Sequence, residues 1–158
     1  MWQKIKPYVV SIALSLGVGT LAGFLTKDSM SLYGEIIQPP LSPPSILFPI
    51  VWTLLYILMG VSAAMIYTDK TAPARQKETA LTVYAASLIV NFFWSIFFFN
   101  LRAFFLSFVW LLLLFVLILY TIRLYHRINR VAAYLQIPYA AWVAFAGYLN
   151  LAIWILNR

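Results

Sequence analysis

Five stretches of the chain carry no charged residue, and each is long enough to cross a bilayer: 7–26, 36–68, 79–101, 103–122 and 131–157. A helix of about 20 apolar residues spans the ~30 Å hydrocarbon core. Lipid offers backbone N–H and C=O groups no partners, so spanning segments must be helices or strands of a closed barrel. Barrel strands alternate in polarity over about ten residues. Residues 110–115 instead read Trp-Leu-Leu-Leu-Leu-Phe, apolar on every side. The chain therefore predicts an all-α membrane protein, a bundle of five transmembrane helices over about 5–26, 46–67, 79–99, 103–125 and 133–157. With 158 residues, 64% of them hydrophobic and 9% charged, no soluble domain fits beside these spans, and the whole chain reads as a single domain.

The charges set the orientation. Lys4 and Lys6 precede the first span, Lys70, Arg75 and Lys77 lie between the second and third, and Arg123, Arg127 and Arg130 surround the turn between the fourth and fifth. The opposite side holds only Lys27, Arg102 and Arg158. This asymmetry follows the positive-inside rule and predicts a cytoplasmic N-terminus and an external C-terminus. The net charge of +7 is thereby accounted for by topology and anionic lipid headgroups, with no nucleic-acid partner. The first apolar run is longer than a signal-peptide core and ends in no convincing cleavage pattern, so it reads as a retained helix. There is no cysteine, which excludes disulfides and thiolate chemistry.

Small residues recur every fourth position in the first span, at Ser11, Ser15, Gly19 and Gly23. Such a stripe allows close approach of two helix backbones, either a neighbouring span or another copy of the chain. The one long connection, 27–45, holds Asp28, Glu35 and the pairs Pro39–Pro40 and Pro43–Pro44. Proline stiffens it, and a long loop without regular structure is either a functional lid or a spacer. The fourth span is nearly featureless and reads as a lipid-facing scaffold. No internal repeat is visible, and five spans do not divide into inverted halves.

Helical spacing aligns Trp52, Tyr56, Met59 and Ala63 on the second span. It likewise aligns Tyr84, Ser87, Asn91, Trp94 and Phe98 on the third, and Tyr139, Trp142, Ala146, Leu149 and Asn150 on the fifth. At 1.5 Å per residue, Trp52 lies roughly 9 Å below the outer surface, Trp94 roughly 24 Å above the inner one and Trp142 near mid-membrane. These indoles, with Asn91 and Asn150, are thus placed to converge on an aromatic-walled pocket beneath the 27–45 loop. Core packing of the tryptophans and interhelical hydrogen bonds from the asparagines are the alternative. Trp2, Trp110 and Trp154 read as interfacial or lipid-facing. No Asp, Glu, Lys, Arg or His lies mid-span, which argues against an ion-coupled pump. His126, the single histidine, sits in the basic cytoplasmic turn, so no metal site and no hydrolytic triad is expected. The segment 117–123 fits the loose cholesterol-contact pattern, as chance alone provides.

Three blocks resemble a known family. Pro39–Pro40, Pro43–Pro44, Pro49, Val51–Trp52, Leu55–Tyr56 and Met59–Gly60 are similar to the second-helix signature of the tryptophan-rich sensory protein and translocator protein family, also called the peripheral benzodiazepine receptor family. Asn91–Phe92–Phe93–Trp94 with Phe97–Phe98 resembles its third-helix segment, and Pro138–Tyr139–Ala140–Ala141–Trp142 with Leu149–Asn150 its fifth. The resemblance covers essentially the whole chain. It implies a five-helix bundle, often a homodimer, that binds porphyrins such as protoporphyrin or haem-type tetrapyrroles and benzodiazepine-type drugs, and that needs no cofactor. It also implies a link to light- and oxygen-dependent porphyrin breakdown, in which Trp52 and Trp142 would act on the ligand.

The ligand-binding set expected is Tyr33, Leu47, Pro49, Trp52, Tyr56, Asn91, Trp94, Phe98, Trp142, Ala146, Leu149 and Asn150, with Lys27 and Arg102 as rim cations for propionates. One departure stands out: Leu149–Asn150 is followed by no Tyr–Arg pair, so sterol binding at that place is not expected, and the chain reads as a protein of a bacterial cell membrane. The rival reading is a non-enzymatic carrier or sensor of tetrapyrroles or lipids acting through partner contacts.

Overall fold

The computed structural model describes residues 1–29 and 31–158. It is all-helical: α1 (Trp2–Thr26), α2 (Leu32–Glu35), α3 (Leu47–Tyr67), α4 (Ala74–Ser95), α5 (Phe104–His126), α6 (Arg130–Leu135) and α7 (Ile137–Asn157). Among the described residues five helical units are long and apolar enough to cross a membrane, beginning at Trp2, Leu47, Ala74, Phe104 and Arg130. The five predicted spans are therefore present, with three differences of detail.

The third begins at Ala74, five residues earlier than expected, because Pro73 starts the helix and charged Arg75, Lys77 and Glu78 form its wet first turns. It then widens into a π-helical turn at Ile96–Asn100, where Leu101 N–H reaches back to the Ile96 carbonyl at 3.1 Å. The fifth span is two helices. Asn129 caps α6 by accepting from Val131 and Ala132 N–H. The chain re-enters as α7 at Gln136, whose buried side chain donates to Ser62 Oγ at 2.7 Å, and Pro138 sits where a helix start tolerates it.

The 27–45 connection, expected to be a long loop without regular structure, contains a 3₁₀ turn, Lys27–Ser29, and α2. Nor is the fourth span a bland scaffold. Ser107, Leu111, Leu114, Ile118, Thr121 and Tyr125 are buried in alternating steps of four and three, the seam of a helix packed against neighbours. Apolar residues on its other faces hide that seam, because lipid demands apolarity there too.

The small-residue stripe of α1 resolves in favour of a neighbouring span. Ser15 Oγ donates to the Tyr56 carbonyl at 2.7 Å, and a Cβ at Gly19 would overlap the Tyr56 ring. A Cβ at Gly60 would lie 2.5 Å from Ile12 Cα. Glycine at 19 and 60 is thus what lets α1 and α3 touch backbone to backbone. Away from the 27–45 connection α3, α4, α5, α6 and α7 enclose the main core around Met59, Ile66, Leu114, Tyr125 and Tyr139.

Candidate functional site

Above the Ser15–Tyr56 contact the helices diverge, leaving a hollow of about 660 Å³ in the half of the bundle that bears the 27–45 loop. That volume falls in the range of small-molecule sites. Its walls come from four spans, because each has an inward row of aromatic or small residues at helical spacing. Trp52 is held between the rings of Tyr56 (centroids 5.7 Å apart) and Tyr139 (6.3 Å). Trp94 stacks on Phe98 at 5.3 Å with an interplanar angle of 25°. Trp142 packs edge-on against Phe48 at 5.8 Å and near Phe145 at 5.6 Å. Such tilted and edge-on pairs fix ring orientation beyond what area burial does.

Two amides bind the walls together. Asn91 Nδ2 donates to the Tyr56 hydroxyl at 3.0 Å. Asn150 Oδ1 accepts from Trp94 Nε1 at 3.0 Å, while its Nδ2 donates to the Phe104 carbonyl at 2.8 Å. Both asparagines are therefore interhelical fasteners as well as parts of the wall. Trp142 Nε1, by contrast, is buried without a partner among the described residues, which leaves one indole N–H in the hollow's wall with its donor capacity unspent.

The loop closes over the top. The Tyr33 ring meets Phe48 edge-on at 5.2 Å and its hydroxyl donates to the Pro43 carbonyl at 2.7 Å. Burial pushes the Tyr33 phenol above its ordinary pKa, partly offset by the Ser42 hydroxyl. Asn157 clamps the loop to α7 by accepting from Ile37 N–H at 2.8 Å and donating to the Ile37 carbonyl at 3.0 Å. Tyr148 adds a bond to the Pro40 carbonyl at 2.6 Å.

Of the residues expected to bind ligand, Tyr33, Pro49, Trp52, Tyr56, Asn91, Trp94, Phe98, Trp142, Ala146, Leu149 and Asn150 all border this hollow. Leu47 does not border it; it is the first residue of α3 and about one-third exposed, at 37%. The two rim cations separate. Lys27 borders the hollow, with Nζ 4.3 Å above the Phe24 ring. Arg102 does not, since its guanidinium is paired with Glu35 at 2.8 Å outside the hollow. The reason is local: Arg102 has φ 51°, which turns the chain between the π turn and α5 and aims the side chain at α2.

The sequence reading also missed an entire wall. Leu16, Gly19, Thr20, Ala22, Gly23 and Thr26 of α1 face the hollow. The small-residue stripe was the available signal, and it marks a wall as well as a helix contact. Phe48 and Phe99 were missed because they sit beside, not on, the motif positions.

Fold and hollow together define a helical integral membrane protein with an internal, aromatic chamber of small-molecule size. The TspO/MBR family model matches residues 11–155, and the chain belongs to that family. It is 32% identical to the tryptophan-rich protein TspO of Chlorobaculum tepidum over 99% of both chains. It is 35% identical to that of Archaeoglobus fulgidus over 98% of this chain and 99% of the relative. With the translocator protein of Bos taurus it shares 31% identity over 96% of this chain and 92% of the relative. The resemblance drawn from the proline, Asn91–Trp94 and Pro138–Trp142 blocks is therefore correct.

Proposed function

We propose that the hollow binds a porphyrin of the protoporphyrin or haem type, and that benzodiazepine-type compounds compete for the same space. The observation that carries this reading is the meeting of Trp52, Trp94 and Trp142 around one cavity of about 660 Å³, since flat aromatic ligands gain most from stacking on such walls. Lys27 at the mouth supplies a counter-charge for one propionate. The natural setting of this activity is a bacterial cell membrane, with the chain as a homodimer.

In the catalytic form of the reading, light excites the bound porphyrin, Trp52 or Trp142 lends it an electron or hydrogen atom and later takes it back, and both atoms of dioxygen add across one carbon–carbon bond of the macrocycle, which breaks to open the ring. The non-enzymatic form, a carrier or sensor, rests on the side chains themselves: apart from Lys27, the residues bordering the hollow carry no group that is charged at neutral pH. Titration of the detergent-purified protein with protoporphyrin IX tests binding. The reading expects saturable quenching of tryptophan fluorescence that a benzodiazepine-type competitor reverses. Quenching that rises linearly and ignores the competitor contradicts it.

A further inference from the structure

We infer that the hollow is loaded sideways from the outer lipid leaflet, through the seam between α1 and α3, and not from water through the 27–45 loop. Two sets of contacts point the same way. At the cytoplasmic side of the seam the helices are locked, by Gly60 against Ile12, Ser15 on the Tyr56 carbonyl and Gly19 against the Tyr56 ring. Beyond that lock no hydrogen bond or ring contact joins residues 20–26 to residues 46–53 among the described residues. Thr20 and Gly23 on α1, and Pro49 and Thr53 on α3, border the hollow and are exposed. A Cβ at Gly23 would meet nothing within 4 Å. Counting from Thr26 and Leu47, the lock lies roughly 10–14 Å along the helices, so the opening spans about the depth of the outer interface and upper acyl chains.

The watery route is held shut by contrast. Asn157 pairs with both backbone groups of Ile37, Tyr148 holds Pro40, and Arg102 holds Glu35 at 2.8 Å. Ser29 Oγ donates to Asn100 Oδ1 at 2.7 Å, and Asn100 Nδ2 donates to the Leu25 carbonyl at 3.1 Å. The loop thus has fasteners along most of its length, whereas the seam above the lock has none. The solute this portal admits is an amphiphile already dissolved in lipid, its apolar body passing between Gly23 and Thr53 while an anionic group stays near Lys27 at the surface.

The ligand arm of the test rests on the binding reading above; the thiol arm does not. The chain has no cysteine, so Ser95→Cys places a single thiol on the hollow's wall. In proteoliposomes that thiol is expected to react with a neutral, lipid-dissolved maleimide about tenfold faster than with a charged, water-soluble one. Adding Gly23→Trp, or Thr20→Phe should the first variant fold poorly, is expected to cut the lipid-borne reaction about tenfold, and adding Asn157→Leu to change neither rate. Preferential reaction with the charged reagent, accelerated by Asn157→Leu and indifferent to Gly23→Trp, overturns the portal. With protoporphyrin IX supplied in vesicles, Gly23→Trp is expected to slow association and dissociation alike; dissociation that speeds up instead would mark the added bulk as crowding the hollow's wall and overturn the portal. If protoporphyrin IX fails to bind the parent protein, the porphyrin reading falls, and the thiol arm still decides the portal.

Discussion

Trp94 and Asn150 are joined across α4 and α7 by a 3.0 Å hydrogen bond from the indole Nε1 to the amide Oδ1, whereas the Nε1 of Trp142 has no partner among the described residues. Two tryptophans of one hollow are thus in different chemical states. One indole N–H holds the wall together, and the other is enclosed by protein with its donor unused.

Removing the first bond tests the assignment of Trp94 to the wall. Interhelical hydrogen bonds in membranes contribute about 0.6 kcal/mol on average and at most ~2 kcal/mol. Trp94→Phe is expected to lower stability by about that amount, measured by denaturation in mixed micelles, and a double-mutant cycle with Asn150→Leu should recover the coupling. Additive effects of the two changes would remove the bond from the account.

Trp52 and Trp142 carry a different expectation. Replacing both with phenylalanine keeps two aromatic walls and the Tyr56, Tyr139 and Phe48 neighbours. Porphyrin binding should therefore persist while the light-driven loss of porphyrin absorbance slows by about tenfold or more, on the order of 1.4 kcal/mol in barrier. Illumination in air followed by absorbance spectroscopy reads it, and unchanged decay in the double variant excludes Trp52 and Trp142 as the donors.

The α1–α3 lock gives a stability test. Gly60→Val inserts side-chain carbon where a Cβ would already lie 2.5 Å from Ile12 Cα, a backbone atom that has no rotamer to escape with. Overpacking of this kind costs about 1–3 kcal/mol. The thermal midpoint should fall clearly for Gly60→Val and hardly at all for Gly23→Ala, whose added Cβ meets nothing within 4 Å.

The separation of the two outer cations predicts unequal electrostatics. Lys27 borders the hollow and Arg102 is occupied by Glu35. Lys27→Met should weaken binding of a dianionic porphyrin several-fold, in keeping with about 0.2–1 kcal/mol for an exposed ion pair, and leave a neutral competitor untouched. Arg102→Met should leave both affinities alone. Titrations at low and high salt check this, because only the Lys27 contribution should fade with screening.

Much of this molecule is legible from the chain because the bilayer is an exacting solvent. Uncharged runs give the spans, and the inward faces of α3, α4 and α7 show through their indoles and amides, which lipid would not select for its own sake. What stays hidden is hidden for physical reasons. The buried seam of α5 cannot be seen because Leu111 and Leu114 look no different from lipid-facing Leu112 and Leu113. The turn that sends Arg102 to Glu35 depends on a positive φ at a non-glycine residue, which no residue type announces. The α1 wall is made of glycine, alanine and threonine, whose contribution is the room they leave. The break at Gln136 is marked locally only by Pro138 at the start of α7, while the bond from Gln136 to Ser62 that accompanies it is tertiary and leaves no local pattern.

The central claim is that a tetrapyrrole occupies the space between the three indoles. Ala146 is buried on α7 and borders that space, so Ala146→Trp fills it from within while leaving Trp52, Trp94 and Trp142 in place. Protoporphyrin IX titrations of the parent protein and this variant, matched for helicity by circular dichroism, are the most direct measurement. Saturable quenching with one porphyrin per chain in the parent, abolished in the variant, is the predicted result. Equal saturable quenching in both would put the porphyrin elsewhere on the protein and contradict the account.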